Sequence, residues 1–92
     1  MPRVIDNKIW HNGQKIGWID GEHIRDEENK KLGYFENGFV YNESGYKVAY
    51  IKENELCYEN GRSPSELEHV NELIEGGIPM LAKCAIKVLF DL

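Results

Sequence analysis

A chain of 92 residues is one folding unit, because two independent cores would leave roughly 46 residues each, close to the size below which a domain needs staples. Hydrophobic residues make up 41% of the chain and charged residues 29%, a globular balance that excludes an intrinsically disordered segment. Lys and Arg number 11 against 16 Asp and Glu, a net charge of -5, so general attraction to phosphate backbones or anionic lipid is not expected and no nucleic-acid partner is assigned.

Cys57 and Cys84 do not make the disulfide framework of a small secreted domain, and the start of the chain lacks the basic-apolar pattern of a signal peptide. A reducing, cytoplasmic setting is therefore expected, with both thiols acting as small buried hydrophobes. No apolar run approaches the length that spans a bilayer, so no transmembrane segment is expected.

Taken in chain order, the first two thirds alternate between two kinds of strand candidate. Ile9-Trp10-His11, Ile24-Arg25-Asp26, Val40-Tyr41-Asn42 and Leu56-Cys57-Tyr58 are short, and their first residues are spaced 15, 16 and 16. Between them lie Ile16-Gly17-Trp18-Ile19, Leu32-Gly33-Tyr34-Phe35 and Val48-Ala49-Tyr50-Ile51, which repeat apolar, small, aromatic, apolar every 16 residues. Asp6-Asn7, Asn12-Gly13, Asp20-Gly21, Asn29, Asn37-Gly38, Ser44-Gly45, Asn54 and Asn60-Gly61 punctuate the segments with residues that tolerate positive φ or bond their own backbone. The spacing predicts eight short antiparallel strands between Arg3 and Tyr58, arranged as four successive hairpins.

Strict alternation within Ile16–Ile19 sends Ile16 and Trp18 to one face and Gly17 and Ile19 to the other. Both faces then carry apolar groups, so the long strands are expected to be covered on both sides, with the small residue at 17, 33 and 49 marking a close approach. The short strands end on His11, Asp26 and Asn42, which are expected to be wet.

Beyond Gly61 the period changes from two to 3.6. Ser63-Pro64-Ser65-Glu66 reads as an N-cap, a first-turn proline and a capping-box glutamate, predicting a helix from Pro64 to Glu75. Leu67, Val70, Leu73 and Ile74 form its apolar stripe, and Gly76-Gly77 supplies a left-handed C-terminal cap. A second helix from Pro79 to about Asp91 is apolar almost all round, with Lys83, Lys87 and Asp91 recurring every four residues as a narrow wet stripe. The expected organisation is a hairpin-repeat unit over 1–62 followed by a helical segment over 63–92, mainly β in class.

Two features leave alternatives open. The second helix either plugs the centre of the hairpins or joins copies of the chain through Ile78, Leu81, Ala85, Val88, Leu89 and Leu92. Trp18, Tyr34 and Tyr50 occupy equivalent repeat positions and form either core or a ring able to hold a small ligand or a cation.

Catalytic signals are missing. His11, His23 and His69 are scattered, with no pair four residues apart and no cysteine at ligand spacing, so no metal and no cofactor is assigned. Glu27-Glu28 falls at a turn, and no nucleophile elbow, phosphate loop or dinucleotide fingerprint occurs. A non-enzyme is expected.

The units Lys31-Leu32-Gly33-Tyr34-Phe35-Glu36-Asn37-Gly38, followed by Phe39-Val40-Tyr41-Asn42, and Gln14-Lys15-Ile16-Gly17-Trp18-Ile19-Asp20-Gly21 resemble those of the small bacterial proteins called four-fold beta-flower proteins. The resemblance covers about Arg3 to Gly61 and implies four hairpin petals around a pseudo-four-fold axis. It implies no reaction and no ligand. Gly-Trp-Ile-Asp is also similar to the WG repeat of larger bacterial proteins, whose longer period this chain does not share. The expected function is a binding or scaffold module that self-associates through its C-terminal helix into a homo-oligomer. An acidic inhibitor or immunity-type protein that blocks a basic protein partner is the alternative. A small-molecule or enzymatic pocket at the repeat axis, served by His11 or Asp26, is the third reading.

Overall fold

Strands of two to seven residues joined by short connections leave no chain for crossovers, so each strand pairs with its sequence neighbour. The computed structural model describes residues 1–92. It shows one antiparallel sheet in the order β1 (Arg3–Ile5), β2 (Lys8–His11), β3 (Gln14–Asp20), β4 (His23–Asp26), β5 (Lys31–Glu36), β6 (Phe39–Asn42), β7 (Lys47–Lys52), β8 (Glu55–Tyr58) and β9 (Ser65–Glu66). Two helices follow, α1 (Leu67–Leu73) and α2 (Met80–Leu89). At Asn12-Gly13 and Asn37-Gly38 both turn residues take positive φ, the conformation that matches the right-handed twist of a two-residue hairpin. The wider connections are held by side chains: Asp26 Oδ1 accepts from the amides of Glu28 and Lys30, both at 2.9 Å, and Asn42 Oδ1 from those of Ser44 at 2.9 Å and Tyr46 at 3.0 Å.

Backbone bonds and register slips recur along the sheet. The amides of Ile19, Phe35, Ile51 and Leu67 donate to the carbonyls of Asn7, Glu22, Gly38 and Asn54 at 2.7, 2.9, 2.9 and 2.9 Å. Ile9 pairs with Gly17 but Trp10 with Lys15, leaving Ile16 as an extra residue, and the same slip leaves Leu32 and Val48 unopposed in β5 and β7. Each is a β-bulge, which bends its strand and re-aims a side chain. The bulges correct the expectation from strict alternation: Ile16, Leu32 and Val48 pack against the same core as the small residues beside them, and of each four-residue repeat only the aromatic is left on the other face.

One face of the sheet holds the core. Ile9, Ile24, Val40 and Leu56, the equivalent positions of the short strands, are each fully buried, as is Ala49. They meet Ala82, Cys84, Ala85 and Ile86 of α2 and Val70 and Ile74 at α1. A Cβ on Gly17 would overlap the Arg25 carbonyl oxygen and lie 2.7 Å from Phe90, and one on Gly33 would overlap the Tyr41 carbonyl oxygen and lie 2.9 Å from Leu89. The small residues therefore mark where α2 and its end press on the sheet.

The helix boundaries differ from expectation for a common reason, the demand of the sheet edges. Ser65 and Glu66 do not cap a helix; they pair as β9 with Leu56 and Glu55, and Glu66 is the N-cap of α1 without a side-chain cap bond. The sheet thus continues past residue 62. At the other end the chain leaves the helix at Ile74, in extended conformation, so that Glu75 pairs with β1: Val4 donates to the Glu75 carbonyl at 2.8 Å and Glu75 to that of Pro2 at 3.0 Å. Gly76 is then packed against Val4 and does not form the expected cap. Glu75 thus pairs with the β1 edge, and the two-residue β9 pairs with the open side of β8.

The expected wet stripe on α2 is also corrected. Lys83 and Lys87 are each only 6% exposed. Lys83 Nζ donates to Asn71 Oδ1 at 2.8 Å and Lys87 Nζ to the Leu92 backbone oxygen at 2.9 Å, so each stem is buried while its ammonium finds an oxygen acceptor. Only Asp91 remains exposed.

Candidate functional site

The bulges decide what the outer face of the sheet carries. A residue three before each aromatic would ordinarily lie on the opposite face, but the extra residue at 16, 32 and 48 returns Lys15, Lys31 and Lys47 to the side of Trp18, Tyr34 and Tyr50. Lys31 Nζ lies 5.0 Å from the centre of the Tyr34 ring, and Lys47 Nζ lies 4.5 Å from that of Phe39 and 6.0 Å from that of Tyr50. Arg25 sits 6.0 Å from the centre of the Trp18 ring. These are cation-π distances.

Trp18, Tyr34 and Tyr50 are half-buried and stand on alternate strands, so each meets its cross-strand partner and not the other two. Trp18 faces Arg25, Tyr34 stacks on Tyr41 with centroids 4.6 Å apart and planes at 13°, and Tyr50 faces Cys57. His23 and Phe39 flank the stack, 5.8 Å from Tyr34 and 6.3 Å from Tyr41. The result is a strip of aromatic rings and cations running across β3 to β7 on the face away from α2. Lys15 and Arg25 are paired with Glu27 at 4.0 Å and Asp20 at 3.3 Å, whereas Lys31 and Lys47 have no carboxylate partner. The sequence displayed the aromatics through their period; it also displayed the lysines at the same period, but their face depends on the bulge.

The other candidate residues are dispersed. Asp26 holds its own turn through Oδ1, and His11 lies apart in an open depression of about 450 Å³ with Met1, Arg3, Ile5, Trp10 and Glu75. No Ser, Cys or Lys lines that depression, so no side-chain nucleophile stands beside His11 there. No group of three His, Cys, Asp or Glu side chains is placed to hold a metal ion. Of the residues considered for contact between copies, Ala85 is fully buried inside the chain, while Ile78, Leu81, Val88, Leu89 and Leu92 keep partial exposure at the rim of α2. No helix is long and apolar enough to cross a membrane.

The two thiols differ. Cys84 is fully buried, and burial pushes its thiol from 9.0 up to about 11 against the opposing pull of the Lys87 ammonium. Cys57 is only half-buried, on the outer face, which corrects the expectation that both thiols are core. The charge of a Cys57 thiolate, then burial, then Glu59 hold the Tyr50 hydroxyl above its ordinary range. Alkylation of the native protein at pH 8 should therefore modify Cys57 and spare Cys84 until the chain unfolds, as read by mass spectrometry of peptides. Because the folded protein keeps the Cys84 proton more tightly than the unfolded chain, the associated stability is intact below pH 9.0 and is lost as pH rises toward 11. Urea melts across that window should register a loss of about 2 kcal/mol that a Cys84→Ala variant lacks.

Comparison with known protein families, characterised proteins and solved structures gives no match to this chain.

Proposed function

We propose that the chain is a non-enzymatic protein-binding module whose recognition surface is the outer face of its sheet. The observation that carries this reading is the strip itself: Lys31 and Lys47 over the rings of Tyr34, Phe39 and Tyr50, outside the core and without carboxylate partners. Tyr, Trp and Arg are the residues that dominate protein interfaces, because rigid amphipathic rings lose little entropy when covered. The rings here are spread over a sheet and not gathered in a cavity, which suits a broad macromolecular surface better than a small substrate. The four hairpins are read as petals around one pseudo-four-fold axis, supported by the recurring bulges and the four equivalent amide bonds.

The acidic inhibitor reading has one observation in its favour, the convergence of Glu55, Glu66 and Glu68 on a single depression beside the strip. Self-association through α2 draws only on the partly exposed rim of that helix.

Replacing Lys31 and Lys47 together with alanine should cost about 1 kcal/mol of stability, since each exposed cation-π contact contributes roughly half to one. The same pair should abolish retention of a stoichiometric protein partner on the immobilised chain, while Leu81→Ser at the α2 rim should not. A partner held equally by all three proteins would sink the outer-face reading.

A further inference from the structure

Beside the strip, on the same outer face, lies its electrostatic complement. Glu55 of β8 stands directly opposite Glu66 of β9, a like-charge cross-strand pair that is destabilising by itself. Both line a depression with Asn54, Leu67 and Glu68, so three carboxylates surround it. None of the three is in an ion pair; even Lys52, opposite Glu55 in β7, does not reach one. All three glutamates are exposed. Lys31 of β5 and Lys47 of β7 thus have no carboxylate partner, and Glu55, Glu66 and Glu68 of β8, β9 and α1 have no cationic one.

Resting on the reading of the outer face as a recognition surface, we infer that its occupant is a second copy of this chain, docked face to face about a two-fold axis. The two patches lie on one face of one continuous sheet, so an axis passing between them lays the strip of each copy on the carboxylates of the other. Every contact is then made twice, and the assembly closes as a dimer. Lys31 and Lys47 bring the counter-charge that Glu55 and Glu66 lack, and the Tyr34–Tyr41 stack brings the apolar ring area that such an interface buries. An unrelated acidic protein would satisfy the strip but would leave the Glu55–Glu66 repulsion in place. A second copy relieves both.

Sedimentation velocity on the full chain over a concentration series, at low and high salt, tests the inference. A dimer is expected at low salt, with an association constant that falls at least about tenfold as salt screens the exposed pairs. Two charge-reversed proteins provide the decisive arm: Lys31→Glu with Lys47→Glu, and Glu55→Lys with Glu66→Lys, each confirmed folded by circular dichroism. Each alone should be monomeric, because strip and patch then carry like charge. Their equimolar mixture should dimerise, because both contacts become complementary again. A monomeric wild type at all concentrations overturns the second-copy occupant, as does a mixture that stays monomeric, and the Lys31→Ala/Lys47→Ala retention experiment then reports separately whether the outer face binds another partner. Dimers that survive in both reversed proteins place the interface elsewhere and overturn the outer-face reading as well.

Discussion

Gly33→Ala should destabilise the protein by about 3 kcal/mol or more, although alanine is only one methyl larger. Gly33 has no positive φ, so the obstacle is space and not conformation. The added Cβ would overlap the Tyr41 carbonyl oxygen and approach Leu89 Cδ2 to 2.9 Å and Cδ1 to 3.0 Å. A side-chain terminus can turn away, but the carbonyl belongs to β6, whose ladder with β5 would have to shift. Gly17 is held the same way by the Arg25 carbonyl and Phe90, and the same loss is expected there. The contrast is Ala49, at the corresponding place in β7, where a methyl is already accommodated and fully buried. Ala49→Gly should lose only about 1 kcal/mol, from the missing methyl and the added freedom of glycine in the unfolded chain. Urea denaturation of the three variants reads these differences, and a Gly33→Ala protein as stable as the wild type would mean that the Tyr41 carbonyl does not close on Gly33 as described.

Ile86→Asp should leave the chain unfolded. Ile86 is fully buried in α2 among sheet residues, and an ionised carboxylate there has no cation and no donor to satisfy it. A small domain holds only about 5 to 15 kcal/mol of stability in total, and at this size the lower end applies. Ile86→Ala, which leaves a cavity without a charge, should cost about 3 kcal/mol and remain folded. Circular dichroism and thermal melts distinguish the two. If Ile86→Asp remained folded and changed only the assembly state, α2 would be a contact between copies and not the interior of one.

These two outcomes bear on how far the sequence could be read. The spacing of Ile9, Ile24, Val40 and Leu56 marked the four short strands, and the Asn-Gly turns marked two of the hairpins, because both are local properties of the chain. The bulges at Ile16, Leu32 and Val48 were not legible, since a register slip belongs to a pair of strands and strict alternation assigns each of those residues to the wrong face. Ser65 and Glu66 carry a sound helix-start signal, yet the open edge of β8 recruits them as β9. Lys83 and Lys87 looked solvent-facing because their period is that of a polar stripe; only the fold brings the Asn71 side chain and the Leu92 backbone oxygen within their reach. The candidate site shows the same division. Its aromatics were visible by period, while the pairing of Lys31 with Tyr34 and of Lys47 with Phe39 and Tyr50 followed from the bulges.

The most direct test of recognition on the outer sheet face is a map of backbone amide shifts across a dilution series of the isotopically labelled protein. Concentration-dependent shifts should cluster at Lys31, Tyr34, Tyr41, Lys47, Cys57 and Glu66, and the amides of Ala82 to Lys87 should not move. Shifts confined to Ile78–Leu92, with the strip silent, would contradict the account and return recognition to the C-terminal helix.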